Sequence, residues 1–130
     1  MERETVMGKK KIVLVVDDEP YILKSMAFVL KRARYEVLEA TNGEEALEAL
    51  KEHKPSLVFL DVMMPKKSGY EVVQEVRSDP DLSDTFMVLL TAKGQDSDRE
   101  EGLSLGADDF MTKPFSPSKI LEKAREVLGE

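Results

Sequence analysis

The sequence predicts an α/β fold: a doubly wound, five-stranded parallel sheet of order 2-1-3-4-5, flanked by five helices (flavodoxin-like). Strand-like and helix-like stretches alternate five times along the chain, which is typical of a parallel sheet covered by helices. Three of the strand-like stretches are continuously apolar, as expected of strands buried on both faces. The other two are more polar and belong at the edges, so strands 2 and 5 flank strands 1, 3 and 4.

The strands differ in polarity. The continuous apolar runs are Ile12–Val16, Leu57–Leu60 and Phe86–Leu90. Glu36–Ala40 alternates polar and apolar residues, and Asp109–Thr112 is short and mixed. We therefore expect the last two at the sheet edges, where burial is incomplete, and a topological switch point between strands 1 and 3.

Each helix begins with a recognisable start signal. Proline suits the first turn of a helix, and Ser or Thr followed three residues later by Glu predicts a capping box. In chain order the signals are Pro20, Thr41–Glu44, Ser68–Glu71, Ser97 with Glu100, and Ser116–Pro117. Helix 4 has a thin apolar face, essentially Leu103 and Leu105, so we expect it to be the least firmly held element.

Composition limits the classes of function. The 130 residues suffice for one domain, which we place at 11–130 after a flexible leader at 1–10. The net charge of −7 argues against a direct nucleic-acid surface, and the only basic cluster is Lys9–Lys11. The chain has no cysteine, no apolar run near the ~18 residues that span a membrane, and no signal core. The prediction is a cytoplasmic protein that contacts no membrane.

Five chemically active residues follow the predicted strands. Strand 1 is followed by Asp17 and Asp18, strand 3 by Asp61, strand 4 by Thr91, and strand 5 by Lys113. In an open α/β sheet, ligands bind outside the carboxyl ends of the strands. Three carboxylates, one hydroxyl and one ammonium at that edge predict a divalent cation beside a phosphoryl group.

The carboxylates fit Mg²⁺, which prefers oxygen ligands and keeps several waters. Asp18 and Asp61 could bind the ion directly, with Asp17 holding a coordinated water. The competing interpretation is that Asp17 and Asp18 merely cap helix 1. Capping needs one Asp, not two, and it explains neither Asp61 nor Lys113, so we favour the metal site.

Asp61 is then the expected nucleophile, since a carboxylate can attack phosphorus and form an acyl phosphate. Lys113 and the metal would neutralise charge on the phosphoryl oxygens. The Thr91 hydroxyl and the backbone N–H groups of Met63 and Ala92 could donate hydrogen bonds to those oxygens.

A general base for hydrolysis is missing. Phosphatases of the haloacid dehalogenase type place a second Asp two residues after the nucleophile, and here that position is Met63. The sole histidine, His53, lies at the end of helix 2. The pocket is therefore suited to accepting a phosphoryl group and poorly equipped to pass it quickly to water, so we predict a phosphoacceptor switch and not an enzyme.

The motifs resemble those of the receiver (CheY-like) domain of two-component response regulators. The resemblance covers residues 11 to about 129. The matching stretches are Val16–Pro20, Leu60–Pro65, Leu90–Ala92 and Gly106–Phe115.

The resemblance implies specific roles. Asp61 is the phosphoacceptor, and Mg²⁺ is bound by Asp18, Asp61 and the Met63 backbone carbonyl, with Asp17 acting through water. Lys113 pairs with the acyl phosphate, and the Lys113–Pro114 peptide is cis.

The resemblance also implies a switch and partners. The Thr91 hydroxyl moves to the phosphoryl group, and the ring of Phe110 turns inward. The family often has Tyr at that position, so any output that needs a tyrosine hydroxyl is not expected. The phosphodonor is a histidine kinase or a phosphotransfer protein. The face of helix 4, strand 5 and helix 5 signals to a downstream target protein or to an output domain absent from this sequence.

Two positions beside the pocket are expected to set the lifetime of the acyl phosphate. Met63 cannot orient an attacking water, and Lys93 could fold over the phosphoryl oxygens. We therefore predict slow self-dephosphorylation.

Two other classes of function remain as alternatives. A Mg²⁺-dependent phosphatase would turn over phosphate esters, which Met63 argues against. A binding module of the same fold could be a flavin binder or a receiver locked without phosphorylation. A flavin site would need a phosphate loop rich in Ser, Thr and Gly after strand 1, where this chain has Asp17–Pro20. A locked receiver should lack one of Asp61, Thr91 or Lys113, and this chain has all three.

Overall fold

The computed structural model describes residues 11–92 and 96–129, with the side chains of 96–99 excepted. Within this part of the chain five parallel strands form one sheet in the order β2-β1-β3-β4-β5. The predicted fold class and strand order are confirmed. The predicted leader at 1–10 and Lys93 lie outside the described residues, and so does the side chain of Ser97, the predicted cap of helix 4.

The elements alternate between strand and helix. The strands are β1 (Ile12–Val16), β2 (Glu36–Ala40), β3 (Leu57–Asp61), β4 (Phe86–Ala92) and β5 (Asp109–Lys113). The α-helices are α1 (Pro20–Arg32), α2 (Gly43–His53), α3 (Gly69–Arg77), α4 (Asp96–Leu105) and α5 (Pro117–Leu128), and a short 3₁₀ helix spans Pro80–Leu82.

Strands β3, β4 and β5 run one or two residues further than the apolar pattern predicts. The parallel ladder continues through polar residues, pairing Asp61 with Leu90 and Ala92 with Lys113. Side-chain polarity does not interrupt the ladder because its hydrogen bonds are made by backbone groups. The functional side chains therefore stand on the last positions of rigid strands.

The sheet is covered on both faces. Alternate residues of β1, β3 and β4 point to opposite sides, as the strand period of two requires. One core cluster contains Leu14, Val58, Leu60, Met87 and Leu89 together with apolar residues of α2 and α3. The other contains Val13, Val15, Leu57, Phe59 and Val88 together with residues of α1 and α5. The edge strands β2 and β5 are only partly buried, as predicted.

The start signals of α1, α3 and α5 lie where the sequence predicts them, and that of α2 is shifted by one residue. The Ser68 side chain accepts from the Glu71 N–H, and the Glu71 carboxylate accepts from the Ser68 N–H, so the capping box of α3 is confirmed. For α2 the capping residue is Asn42, not Thr41, and its side chain accepts from the N–H of Glu45 at 2.9 Å. The Glu45 carboxylate in turn accepts from the Thr41 N–H and hydroxyl. Asn is as good a cap as Thr, so the box begins one residue later.

Helix α4 has the thin apolar face that the sequence predicts. Leu103 is exposed, and Leu105 is half-buried against the α2–α3 side of the core. Gly102 is buried, and a Cβ there would overlap the Leu89 side chain. The helix therefore packs closely on β4 at a glycine, with few apolar side chains to hold it.

Gly69 determines how closely α3 approaches the end of β3. A Cβ on Gly69 would lie 2.5 Å from the Asp61 carbonyl oxygen and 2.9 Å from the Val62 Cα. Both are backbone atoms, which cannot move away as a flexible side chain would. We expect Gly69→Ala to lower the free energy of unfolding by ~1–3 kcal/mol and to displace the segment after Asp61.

Urea unfolding followed by circular dichroism measures this loss. Gly129→Ala is the matched control, because a Cβ on Gly129 meets no atom within 4 Å and Gly129 lies at the far end of α5. Gly129→Ala should lower the free energy of unfolding only by the cost of a left-handed backbone, ~1–2 kcal/mol. It should leave the NMR signals of residues 61–68 unchanged. Unchanged signals there in Gly69→Ala would contradict the steric argument.

Candidate functional site

Strand alternation brings three of the predicted site residues to one side of the sheet edge. Asp17, Asp61 and Lys113 each lie two positions after a residue that packs toward α1 and α5. Those residues are Val15, Phe59 and Met111. Because side chains two apart on a strand share a face, the two carboxylates and the ammonium converge.

Lys113 links the two buried carboxylates. Its Nζ lies 2.9 Å from Asp17 Oδ2 and 3.4 Å from Asp61 Oδ2. Asp17 is fully buried, and Asp61 is 6% exposed. Carboxylates removed from water to this degree need a compensating charge, which Lys113 supplies.

The three aspartates form a group that could hold a cation. One carboxylate oxygen from each of Asp17, Asp18 and Asp61 lies within 4.8 Å of the others. Asp18 is exposed, so one side of the group is open to water, and Asp17 Oδ1 accepts a hydrogen bond from the Glu19 N–H at 2.9 Å. Hard oxygen donors with access to water suit Mg²⁺. The donor set fits the predicted ion.

The electrostatics of the site are those of a charge-crowded pocket. Burial and the neighbouring charge of Asp17 raise the pKa of Asp61 to about 6, although Lys113 and a hydrogen bond from the Met63 N–H oppose the shift. Burial disfavours the charged form of Lys113, but its contacts with Asp17 and Asp61 outweigh that and raise the pKa of Lys113. A further positive charge at this place would relieve the repulsion between the carboxylates.

Thr91 and Phe110 lie on the opposite face of the sheet from that cluster. Thr91 shares a strand face with Met87 and Leu89, which belong to the core cluster on the α2–α3 side of the sheet. Phe110 packs against that same cluster. Thr91 is buried, and its hydroxyl donates to the Met111 carbonyl at 3.5 Å. The two proposed switch residues are thus neighbours on adjacent strands, with the threonine hydroxyl aimed at β5.

The remaining predicted residues surround the entrance. Met63 is 73% exposed, and Ala92 is exposed at the end of β4. The Lys113–Pro114 peptide is cis, as predicted. A cavity of about 340 Å³ adjoins the site and is lined by Glu19, Ile22, Ala92, Lys113, Pro114 and Phe115. Lys93 lies outside the described residues.

Two contributors were missed from the sequence. Glu19 approaches Lys113, with 4.0 Å between Oε1 and Nζ, and its N–H fixes the Asp17 carboxylate. The run of three acidic residues beginning at Asp17 was a signal for it. Gly69, which packs against the Asp61 backbone, stands in the sequence only as part of a helix start signal.

The raised pKa of Asp61 predicts a pH dependence of stability without divalent cations. The folded value of about 6 exceeds the ordinary value of 3.8, so the folded state binds more protons between these pH values. The contribution of Asp61 to the free energy of unfolding is therefore greatest below pH 3.8 and is lost as the pH rises through about 6. We expect ¹³C NMR of the Asp61 carboxyl in EDTA to show this titration.

Asp61→Asn serves as the control, because it should remove that part of the pH dependence from urea unfolding curves. Addition of Mg²⁺ should move the Asp61 titration to lower pH, since a bound cation favours the carboxylate. A titration at the ordinary carboxyl value in EDTA would contradict the electrostatic description.

Comparison with known proteins agrees with this geometry. A family model described as "Response regulator receiver domain" matches residues 13–125. The "Probable transcriptional regulator ycf27" of Pyropia yezoensis is 48% identical over 121 residues, which is 93% of this chain and 49% of that protein. The "Alkaline phosphatase synthesis transcriptional regulatory protein PhoP" of Bacillus subtilis is 44% identical, over 94% of this chain and 49% of its own.

A solved structure gives the same result. The chemotaxis response regulator CheY4 of Vibrio cholerae superposes with a TM-score of 0.85 at 32% identity, covering 92% of this chain and 99% of that one. The chain spans about half the length of the curated relatives that it matches. In the described residues, no helix has the length and apolar character needed to cross a membrane. The chain belongs to the response regulator receiver domain family.

Proposed function

We propose that Asp61 accepts a phosphoryl group, with Mg²⁺ as cofactor, and that the resulting acyl phosphate switches the surface of α4, β5 and α5. The observation that carries this proposal is the placement of Lys113 between two buried carboxylates at the carboxyl edge of the sheet. A phosphoryl group on Asp61 would arrive beside a fixed positive charge. Such preorganised charge is what phosphoryl transfer requires.

The proposed donor is a histidine kinase or a histidine phosphotransfer protein. An Asp61 carboxylate oxygen forms the new O–P bond while the P–N bond of the donor phosphohistidine breaks, and the imidazole nitrogen keeps the electron pair. Asp18, Asp61 and the Met63 carbonyl would hold Mg²⁺, with Asp17 acting through a water; the ion would supply charge neutralisation. Lys113 holds the phosphoryl oxygens, and the N–H groups of Met63 and Ala92 orient them.

The switch would begin at Thr91. Among the described residues its hydroxyl makes one hydrogen bond, a long one to the Met111 carbonyl, so little is lost when it turns to a phosphoryl oxygen instead. Phe110, half-buried on the same face, would fill the vacated space. Helix α4, which is held by few apolar side chains, would then change its position. The equilibrium between two conformations of the partner-binding surface would shift as a result.

The output is proposed to lie outside this chain. Relatives twice its length are named as transcriptional regulators, which supports a receiver that controls a downstream target protein or an output domain elsewhere. The net charge of −7 gives this chain itself no surface suited to nucleic acid.

The phosphorylation step is tested by incubating the protein with acetyl phosphate and Mg²⁺ and weighing the intact chain. We expect the mass of one phosphoryl group to be added to the wild type and to Asp81→Asn, whose exposed aspartate lies far from the site. Asp61→Asn should show no gain, because its amide cannot form the anhydride. An undiminished gain in Asp61→Asn, or steady hydrolysis of a phosphate ester by the wild type, would reject the proposal, the latter in favour of a phosphatase.

A second prediction concerns the lifetime of the acyl phosphate and rests on the exposed side chain of Met63. Met63 cannot orient a water for in-line attack, whereas Met63→Asn introduces an amide that can. General acid–base groups contribute ~10²–10⁴-fold, and a neutral amide that only orients the water should contribute less, so we expect dephosphorylation to accelerate by ~10-fold. Met63→Leu is the matched control, with similar size and no hydrogen-bonding group. A phosphoryl half-life of seconds in the wild type would contradict slow self-dephosphorylation.

A further inference from the structure

Arg77 is the last residue of α3 and lies near the amino ends of β4 and β5. Asp61 lies at the carboxyl ends of the strands, on the other side of the sheet's length. Its Nε donates to the Gly106 carbonyl at 2.7 Å. One terminal nitrogen donates to the carbonyls of Thr85 and Ser83 at 2.9 and 3.2 Å, and the other to the Asp108 carboxylate at 2.5 Å. The planar guanidinium thus holds the segment that enters β4 and the segment that enters β5.

Asp108 continues this connection into the ladder. The carboxylate oxygen bound by Arg77 also accepts from the Met87 N–H at 2.8 Å, while the Asp108 N–H donates to the Met87 carbonyl at 2.9 Å. These bonds join the residue before β5 to the second residue of β4. The next pair of the ladder is Val88 with Asp109.

Burial alone specifies the register of β5 weakly. Every residue of β5 is half-buried or exposed, whereas Met87–Thr91 of β4 are buried. A strand without a strongly apolar face slips more easily, and a slip of one residue turns each side chain to the other face. Lys123 of α5 contacts Asp109 at 2.5 Å, but that contact joins β5 to a helix and does not fix its position along β4.

We propose that Arg77, through Asp108, sets the register of β5 on β4 and so positions Lys113 against the acceptor site. Arg77 is a positioning residue: it touches no reacting group, and its effect reaches the site through the five residues of β5. In the observed register Ala92 pairs with Lys113, and the ammonium faces Asp17 and Asp61. In a slipped register it would face the side of Thr91. This inference rests on the proposed phosphorylation of Asp61.

The test is a double-mutant cycle between Arg77→Gln and Lys113→Ala, read as the rate of phosphorylation by acetyl phosphate in Mg²⁺. Small displacements of catalytic groups cost up to ~100-fold, and we expect Arg77→Gln to slow the reaction by ~10-fold or more. In the Lys113→Ala background the same change should cost less than ~2-fold, because residues that act as one unit are not additive. Arg77→Lys should not restore the rate, since one ammonium cannot reach four acceptors, and exposed Arg125→Gln on α5 should leave it unchanged.

Cross-strand NOEs between β4 and β5 provide a readout that is independent of phosphorylation. We expect the NOEs of the observed register to weaken or shift in Arg77→Gln. We expect the same in Asp108→Ala, which changes an exposed residue and provides the test if Arg77→Gln does not fold. Unchanged NOEs, a rate within ~2-fold of wild type in folded Arg77→Gln, or the full loss persisting in the Lys113→Ala background would each overturn the proposal. If the wild type accepts no phosphoryl group, the proposed function fails and the NOEs alone decide the register.

Discussion

The site depends on one electrostatic constraint: two carboxylates are buried side by side, and the Lys113 ammonium is shared between them. Ionising both Asp17 and Asp61 in this position costs free energy unless positive charge lies nearby. Lys113 partly satisfies the requirement, and the raised pKa of Asp61 shows that part of it remains. A cation bound by the three aspartates would be attracted by this remaining excess of negative charge.

This constraint explains why the fold is built with the acidic residues at strand ends. Three central strands buried on both faces form a rigid base, and the ladder continues to Asp61 in β3 and to Ala92 in β4. The carboxylates are therefore held by the most firmly packed part of the molecule. The parts proposed to move, by contrast, are held weakly. The Thr91 hydroxyl bonds the Met111 carbonyl at the long distance of 3.5 Å, and α4 packs through a glycine and few apolar side chains.

Much of this was predictable from the sequence because its signals are local. Continuous apolar runs identified the central strands, polarity identified the edges, and the residues directly after each run identified the site. The cap of α2 was assigned one residue too early because Thr41 and Asn42 are both good caps, and only the backbone geometry distinguishes them. The contacts of Glu19 with Lys113, and of Arg77 with the segments that enter β4 and β5, join residues that lie apart in the chain. No spacing rule encodes such pairings, so they required coordinates.

The polarity of the two outer strands has a consequence for solubility. A parallel sheet of this kind leaves an unpaired row of backbone donors and acceptors on β2 and on β5, and such rows invite another chain to add a strand. Here the outer strands carry Glu36 and Glu39 on one side and Asp109 and Lys113 on the other. Burying those charges against a second sheet would be costly, so they protect both margins against aggregation. The proposed signalling surface includes β5, and its margin would gain that protection from Asp109 and Lys113, which pair with Lys123 and with the acidic site.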